Sequence, residues 1–434
     1  LPSLLFLAVS INSGAQIVYD LNECISIGLE KNYSLLISKN SEEVALNNFT
    51  LGNAGFLPSL DLSGRYGGNI NSTRRNFTDG TETESNGEHT ATANAGLSMG
   101  MTIFNGFNVQ TTYKKLNELK QIGELNTQFS VENLVSGIIS AYYNYIEQTM
   151  LLKNLQYAVT LSKERLRIDE DRYLLGSSSK LQVLQSRVYL NADSSRLTRQ
   201  NEIVRGSRIR LNELMAVDNL ALEFVTSDTS ITINPGLLYE RLMTDAINQN
   251  TSLLIASKNM VISGYDYKLI KSRSYPYLNA SSGYNYSFND YSSGTMQNQS
   301  NRGLNYGLTV GINIFDGLNQ RRNIRNSSIE MTNRELNYKE IEQGVRADLI
   351  TIYNAYSNYL RLVNLEQQNL QTAAENLEIA MERYKLGSLS GIDLREVQKS
   401  LLDAKESLIS VEYQAKLAEV SLMLISGRIS DYYQ

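Results

Sequence analysis

RYLLGS at residues 172–177 returns as RYKLGS at residues 383–388, displaced by 211 positions. The same displacement carries IFNG at residues 103–106 onto IFDG at residues 314–317. Two motifs that keep one spacing over so long a stretch indicate an internal duplication, and repeats of this kind decide the architecture of a chain.

The duplication extends upstream with one change of length. NYSLL at residues 32–36 recurs as NTSLL at residues 250–254, displaced by 218 positions. We therefore divide the chain into a first repeat at 17–216, an equatorial linker at 217–236 and a second repeat at 237–428. A period of about 200 residues exceeds the roughly 20–50 residues of a solenoid unit, so each repeat is a large structural unit.

The distribution of proline and glycine predicts very long helices. No proline lies between Pro58 and Pro235 or after Pro276, which leaves long stretches free of helix breakers. Each repeat also has two glycines 70 positions apart, at its two shared motifs. We expect one helix at about 106–175 and one at about 317–386, each about 105 Å long.

A turn and a second helix are predicted after each long helix. Gly176 and Gly387 are suited to the left-handed residue that ends a helix. Return helices are expected at about 180–215 and 391–427, so each repeat contains a helical hairpin.

The return helices show capping and heptad patterns. Ser179 with Gln182, and Ser390 with Asp393, have the spacing of a capping box. Apolar residues follow steps of three and four in the second return helix, which indicates coiled-coil packing; they are Leu394, Val397, Leu401, Ala404, Leu408, Val411, Ala415, Ala418, Leu422 and Ile425. In the first return helix, apolar residues recur at every seventh position. Its other core positions are often polar, namely Ser186, Asp193, Gln200 and Ser207.

Between the helices, apolar and polar residues alternate. Strands are predicted at about 58–70, 90–104, 276–289 and 302–315, with polar loops at 69–90 and 289–302. Length and strict alternation are typical of transmembrane β-strands, with small polar residues facing a water-filled lumen. A water-soluble sheet with one buried face remains the alternative. Four strands cannot close a barrel, for which about eight are needed, whereas three chains would supply twelve.

Composition excludes several classes of protein. The net charge of −5 and the lack of long basic runs argue against nucleic-acid binding. Cys24 and His89 are the single cysteine and histidine, so a Cys/His zinc site is nearly excluded and a histidine-based catalytic triad has one isolated candidate. No phosphate-binding loop motif is present. We expect no enzyme activity, no cofactor and no metal.

Both ends of the chain lie outside the repeats. Residues 1–16 resemble the remnant of a secretory signal, with an apolar core followed by small residues. Residues 429–434 form a C-terminal tail.

The order of helix, strand pair, long helix, turn and helix, present twice, resembles the TolC-like outer-membrane efflux proteins. The Phe-[Asn/Asp]-Gly corner and the Arg-Tyr-x-Leu-Gly-Ser turn carry this resemblance, which covers the whole mature chain. The family often has a proline two residues before that Phe, where Thr102 and Asn313 stand here.

The resemblance implies a mainly α fold with membrane β-structure. A duplicated unit of coiled-coil helices and a two-stranded hairpin would form a homotrimer, with a twelve-strand β-barrel joined to a periplasmic α-helical barrel. The implied function is the exit duct of a tripartite efflux or type I secretion system, set in outer-membrane lipid. A periplasmic adaptor (membrane fusion) protein and an inner-membrane pump would be its partners. The alternative is a soluble periplasmic coiled-coil scaffold or adaptor.

The resemblance also implies functional residues at the two turns. Asp393, Glu396 and Gln182 are candidates for the pore constriction. Capping of a helix and a solvated helix face are the alternatives for the two acidic residues. The candidates for the periplasmic tip and adaptor docking are Arg172, Tyr173, Gly176, Ser177, Arg383, Tyr384, Gly387 and Ser388. Ordinary packing of the last helical turn is the alternative for the two Arg-Tyr pairs. Gln182 and Leu389 stand where family members carry a gate ion pair, so that ion pair is not expected here.

Overall fold

The computed structural model describes residues 17–292 and 296–433. The predicted signal remnant at 1–16 lies outside the described residues. In chain order the elements are β1 (Ile17–Tyr19), α1 (Leu21–Lys31), α2 (Tyr33–Asn48), α3 (Leu51–Ala54), β2 (Ser59–Asn76), β3 (Glu82–Asn105), α4 (Asn108–Leu174), α5 (Lys180–Leu214), β4 (Phe224–Thr226), α6 (Tyr239–Gln249), α7 (Thr251–Ser272), β5 (Tyr277–Tyr291), β6 (Asn298–Gly311), α8 (Asn319–Lys385) and α9 (Gly391–Ile425), followed by a short 3₁₀ helix (Ile429–Tyr432).

The helices repeat with the spacing found in the sequence. Helices α4 and α8 have 67 residues each, and α5 and α9 have 35 each. Each pair of bounds differs by 211 positions, the displacement of the two turn motifs. The prediction of two very long helices with shorter return helices is confirmed. None of the described helices has a stretch long and apolar enough to cross a membrane.

Strands β2, β3, β5 and β6 form one antiparallel sheet in that order. Register places apolar residues opposite one another across all four strands, as in the row Leu62, Leu97, Tyr284 and Leu304. The next row is Ser63, Gly96, Asn285 and Gly303. Because successive side chains of a strand point to opposite faces, the sheet has one apolar and one polar face. In the described chain, β2 and β6 each have one neighbour and so form the two edges.

The first strand pair is longer than the sequence indicated. Strands β2 and β3 continue to a tight turn at residues 77–81. His89 is part of β3 and pairs with Ile70 of β2, instead of lying in a loop. The polar residues of this extension obscured the strands because a hairpin with water on both faces shows no apolar alternation. Backbone pairing and the ion pair between Arg74 and Glu82 hold the extension together.

Contacts divide the chain into two compact units. The first contains the chain up to Asn40, Leu125–Leu254 and the chain from Lys339, and the second contains Ser41–Glu124 and Ile255–Tyr338. The main core belongs to the first unit, where the linker strand β4 pairs in parallel with β1. Fully buried members of this core include Cys24, Ile138, Tyr142, Leu211, Tyr356 and Leu422. The four-stranded sheet belongs to the second unit.

Candidate functional site

The two turns between the long and return helices have the same local structure. Gly176 and Gly387 have φ of +76° and +79°, a left-handed conformation that side chains with a Cβ disfavour. Ser177 donates from its backbone N–H to the carbonyl of Arg172 over 2.9 Å, and Ser388 makes the equivalent bond to Arg383 over 2.9 Å. The predicted glycine caps are therefore confirmed.

Arg172 and Tyr384 join the ends of the two hairpins. The Arg172 guanidinium donates to the backbone carbonyl of Tyr384 and lies 4.7 Å above the centre of its ring. It also donates to the carbonyl of Lys385 over 3.4 Å. Their repeat counterparts Arg383 and Tyr173 are exposed, and the Tyr173 side chain is 45% exposed. One residue from each of the two Arg-Tyr motifs thus takes part in a contact between the hairpins.

The Tyr384 hydroxyl is part of a buried cluster of polar side chains. It donates to one carboxylate oxygen of Asp169, and the Ser186 hydroxyl donates to the other. Asp169 and Ser186 are each 1% exposed. Burial, and then the neighbouring Asp169 carboxylate, raise the pKa of Tyr384 to about 12.

An ion pair joins α5 and α9 further from the turns. Arg395 donates to both carboxylate oxygens of Asp193 over 2.8 and 2.9 Å, and the Ser162 hydroxyl donates to Asp193 over 2.5 Å. The guanidinium carbons of Arg165 and Arg395 each lie 5.0 Å from the centre of the Tyr189 ring. The Asp193 carboxylate raises the pKa of Arg395.

These contacts connect all four helices that end near the turns. We call the connected residues the tip cluster: Ser162, Arg165, Asp169, Ser186, Tyr189, Asp193, Tyr384 and Arg395. A buried ion pair adds little net stability, but removing one partner strands a charge at a cost of about 3–5 kcal/mol. The tip cluster therefore favours one arrangement of the hairpins over any arrangement that separates its partners.

The predicted constriction residues lie outside the tip cluster. The backbone N–H of Asp393 donates to the Ser390 hydroxyl over 3.1 Å, and its carboxylate accepts from that hydroxyl over 2.7 Å. The capping prediction for Asp393 is thus confirmed. Glu396 is exposed, and the Gln182 side chain accepts from Ser178. A pore constriction at these three residues stays a prediction.

The sequence did not predict which acidic residues hold the hairpins together, although the sequence contains a signal for them. Polar residues at heptad positions of α5 marked the site. Ser186 and Asp193 are each 1% exposed, whereas the apolar Leu190 and Leu197 of the same seam are only partly buried. A polar residue in a coiled-coil seam needs a partner from another helix, and the helix that supplies it cannot be read from periodicity.

An apolar groove lies beside the first turn. It has a volume of about 350 Å³ between the end of α4 and the start of α5. Leu174 and Leu175 at the turn are each 82% exposed, and an ion pair of 2.9 Å between Arg187 and Glu170 borders the groove. The lining residues are Glu170, Tyr173, Leu174, Lys180, Val183, Leu184 and Arg187.

Comparison with known proteins gives a consistent result. The family model described as outer membrane efflux protein matches residues 25–217 and 242–428, one segment in each repeat. The cation efflux system protein CusC of Escherichia coli (strain K12) is 22% identical over 306 residues, covering 68% of this chain and 64% of the relative. The outer membrane protein TolC of the same strain is 19% identical over 450 residues, covering 99% of this chain and 87% of the relative.

A solved structure shares the fold. The crystal structure of the outer membrane protein VceC from Vibrio cholerae superposes with a TM-score of 0.77 at 16% sequence identity. The alignment covers 94% of this chain and 96% of that one. The long helical hairpins and the four-stranded sheet are thus the fold of a known outer membrane protein.

Proposed function

The chain belongs to the outer membrane efflux protein family and is TolC-like, and from that premise we propose that it is the exit duct of a tripartite efflux or type I secretion system. The observation that carries the proposal is the sheet, whose strands align one apolar face and one polar face across four strands. Such a sheet suits a wall between lipid and a water-filled channel. The duct would lie in the outer membrane of a Gram-negative bacterium and extend into the periplasm.

Closure of the sheet supports a homotrimer. Strands β2 and β6 are edges of the sheet in the described chain, and unpaired backbone groups are costly in lipid. Pairing of β2 with β6 of a neighbouring chain would remove every edge. Three chains would give a barrel of twelve strands, and the apolar residues exposed in one chain would then face outer-membrane lipid. These include Leu62 (82% exposed), Tyr306 (84%) and Leu308 (72%).

Conduction through this duct would be passive. The face opposite the apolar one carries asparagine, serine, threonine and glycine, as in the row Ser63, Gly96, Asn285 and Gly303. Such a surface is wetted without holding one solute tightly. We propose that an inner-membrane pump supplies the energy and that this chain has no enzymatic step.

The tip cluster would hold the duct closed. Opening would separate the hairpin of α8 and α9 from that of α4 and α5 by a small untwisting. That movement would break the Arg395–Asp193 pair and the bond from Tyr384 to Asp169. We propose that a periplasmic adaptor drives this step by docking at the turns, where Leu174 and Leu175 are exposed beside the apolar groove.

Mass and conductance test the proposal. Light scattering of the detergent-extracted protein, with detergent subtracted, should give three chains, or 3 × 48.7 ≈ 146 kDa before any signal removal. The same preparation should form ion-conducting pores in a planar bilayer. A monomer that stays soluble without detergent would contradict the duct and support the periplasmic scaffold.

A further inference from the structure

The two repeats differ where a strand passes into a long helix. At the displacements of 218 and 211 positions, Phe56 and Tyr113 of the first repeat correspond to Ser274 and Ile324 of the second. The ring of Phe56 meets that of Tyr113 edge-on at 5.9 Å, and Phe49 stacks on Tyr113 at 4.7 Å. Aromatic side chains therefore fill this corner in the first repeat.

In the second repeat the corresponding corner is open. Ser274 and Ile324 line a cavity of about 510 Å³, within the size range of small-ligand pockets. Its other lining residues are Arg273, Asn313, Ile314, Asp316, Gln320, Arg321 and Asn323. The cavity is open to solvent, since its lining residue Ile314 is 91% exposed. The absence of the two aromatic rings is therefore a difference between the surfaces of the repeats.

The open corner also gains positive charge. Arg273 and Arg321 stand where the first repeat has Gly55 and Gln110. Within residues 17–292 and 296–433, neither arginine has a carboxylate within ion-pairing distance. The one carboxylate that lines the cavity, Asp316, accepts the backbone N–H of Gln320 over 2.7 Å.

The lining residue Gln320 is held in place by hydrogen bonds from its side chain. The Gln320 side-chain amide donates to the carbonyl of Ile270 over 2.5 Å and to the Ser274 hydroxyl over 3.2 Å. These bonds tie the start of α8 to the end of α7. The cavity is therefore formed within a single chain before any ligand arrives.

We propose that this corner, the Arg273–Arg321 pocket, binds the phosphate of an anionic ligand. The planar guanidinium presents paired donors that match phosphate oxygens, and Asn313 and Asn323 add amide donors at the same cavity. The phosphate could belong to a membrane phospholipid or to a soluble solute, because the chemistry of recognition is the same.

The position of the pocket favours the lipid source. Asn313 lies just beyond the end of β6 at Gly311. If the sheet spans the membrane, this is the depth of lipid headgroups. That preference rests on the proposed function, whereas binding of phosphate by the pocket does not.

The test compares two phosphate sources on the purified protein. Native mass spectrometry would count bound phosphatidylglycerol, and titration calorimetry would measure binding of inorganic phosphate. We expect Arg273→Gln and Arg321→Gln each to weaken binding about tenfold, since each removes a charge-assisted contact. Filling the corner with Ile324→Tyr should have the same effect while leaving both charges in place.

Arg322→Gln is the matched control, because Arg322 is exposed, adjacent to Arg321 and outside the cavity lining. It should bind as the unmodified chain does. Loss of lipid binding alone assigns the pocket to a headgroup, and loss of phosphate binding alone assigns it to a solute. Equal binding by the unmodified chain and both arginine variants would overturn the proposal, whatever mass the assembly has.

Discussion

The Arg395 guanidinium of α9 makes two hydrogen bonds, of 2.8 and 2.9 Å, to the Asp193 carboxylate of α5. Asp193 is 1% exposed, so water does not screen this pair as it screens a surface ion pair. The two residues belong to different repeats and to different hairpins. Their separation is thus a direct measure of whether the two hairpins remain together.

If the tip cluster holds the duct closed, as proposed, loss of this pair should open it. Arg395→Leu leaves the Asp193 carboxylate buried with the Ser162 hydroxyl alone, which disfavours the closed arrangement. If the unpaired Asp193 carboxylate raises the free energy of the closed state by only ~1.4 kcal/mol relative to the open state, the open probability rises about tenfold. Single-channel recording in planar bilayers measures this. Lys399→Leu, at an exposed position one turn along α9, should leave conductance unchanged. An unchanged open probability for Arg395→Leu would show that the Arg395–Asp193 pair does not hold the duct closed.

Removing one hydroxyl should distinguish the two Arg-Tyr motifs. Tyr384→Phe deletes the donor to the buried Asp169 carboxylate and should lower the free energy of unfolding by about 2 kcal/mol. Tyr173→Phe changes the repeat counterpart, which is 45% exposed, and should have no measurable effect. Thermal melting followed by circular dichroism compares the two. Equal losses of stability would mean that the hydrogen bond from Tyr384 to Asp169 contributes no more to stability than the exposed hydroxyl of Tyr173 does.

Adjacent residues of β6 should respond differently to a charge. Leu308 lies on the apolar face and is 72% exposed in the single chain, whereas Thr309 lies on the polar face. An arginine facing lipid costs up to about 2–4 kcal/mol at the midplane and less towards the interface, whereas one facing the lumen avoids this cost. Leu308→Arg should therefore reduce the yield of assembled protein in the membrane fraction, while Thr309→Arg assembles. The opposite order would place the faces the other way round.

Glu132 should make stability depend on pH. Burial raises its pKa above 4.5, despite hydrogen bonds from Thr251 and Gln128. The folded chain therefore binds this proton more tightly than the unfolded chain. The stability that Glu132 contributes to the folded chain is complete below pH 4.5. It is lost as pH rises through the higher pKa of the folded state.

Glu132→Gln removes this titration, so the melting temperature should fall less steeply with rising pH. The measurement is a series of melts from about pH 4 to about pH 8. Glu202→Gln, at an exposed position of α5, serves as the control and should retain the slope of the unmodified chain. A slope unaffected by Glu132→Gln would show that burial of this carboxyl does not govern the pH dependence.

The candidate site was predictable in part. The turns at Gly176 and Gly387 and the cap at Ser390 were read directly from the sequence, because each depends on residues within one helical turn. Asp393 illustrates the limit, since its spacing identified the cap but did not separate it from a role in the pore. The acids that are buried, Asp169 and Asp193, depend on partners in other helices. Periodicity identifies the face of a helix but not the residue opposite it.

The sequence by itself determined the duplication, the lengths of the helices, their caps and the alternation of the strands. These features follow from repeated motifs and from local rules of backbone and side-chain geometry. Only the tertiary structure decided which polar residues meet, how far β2 and β3 extend and where the second repeat leaves a cavity. Those features arise from pairing between distant segments, and the energy of a buried charge or a missing ring is set by the partner it meets.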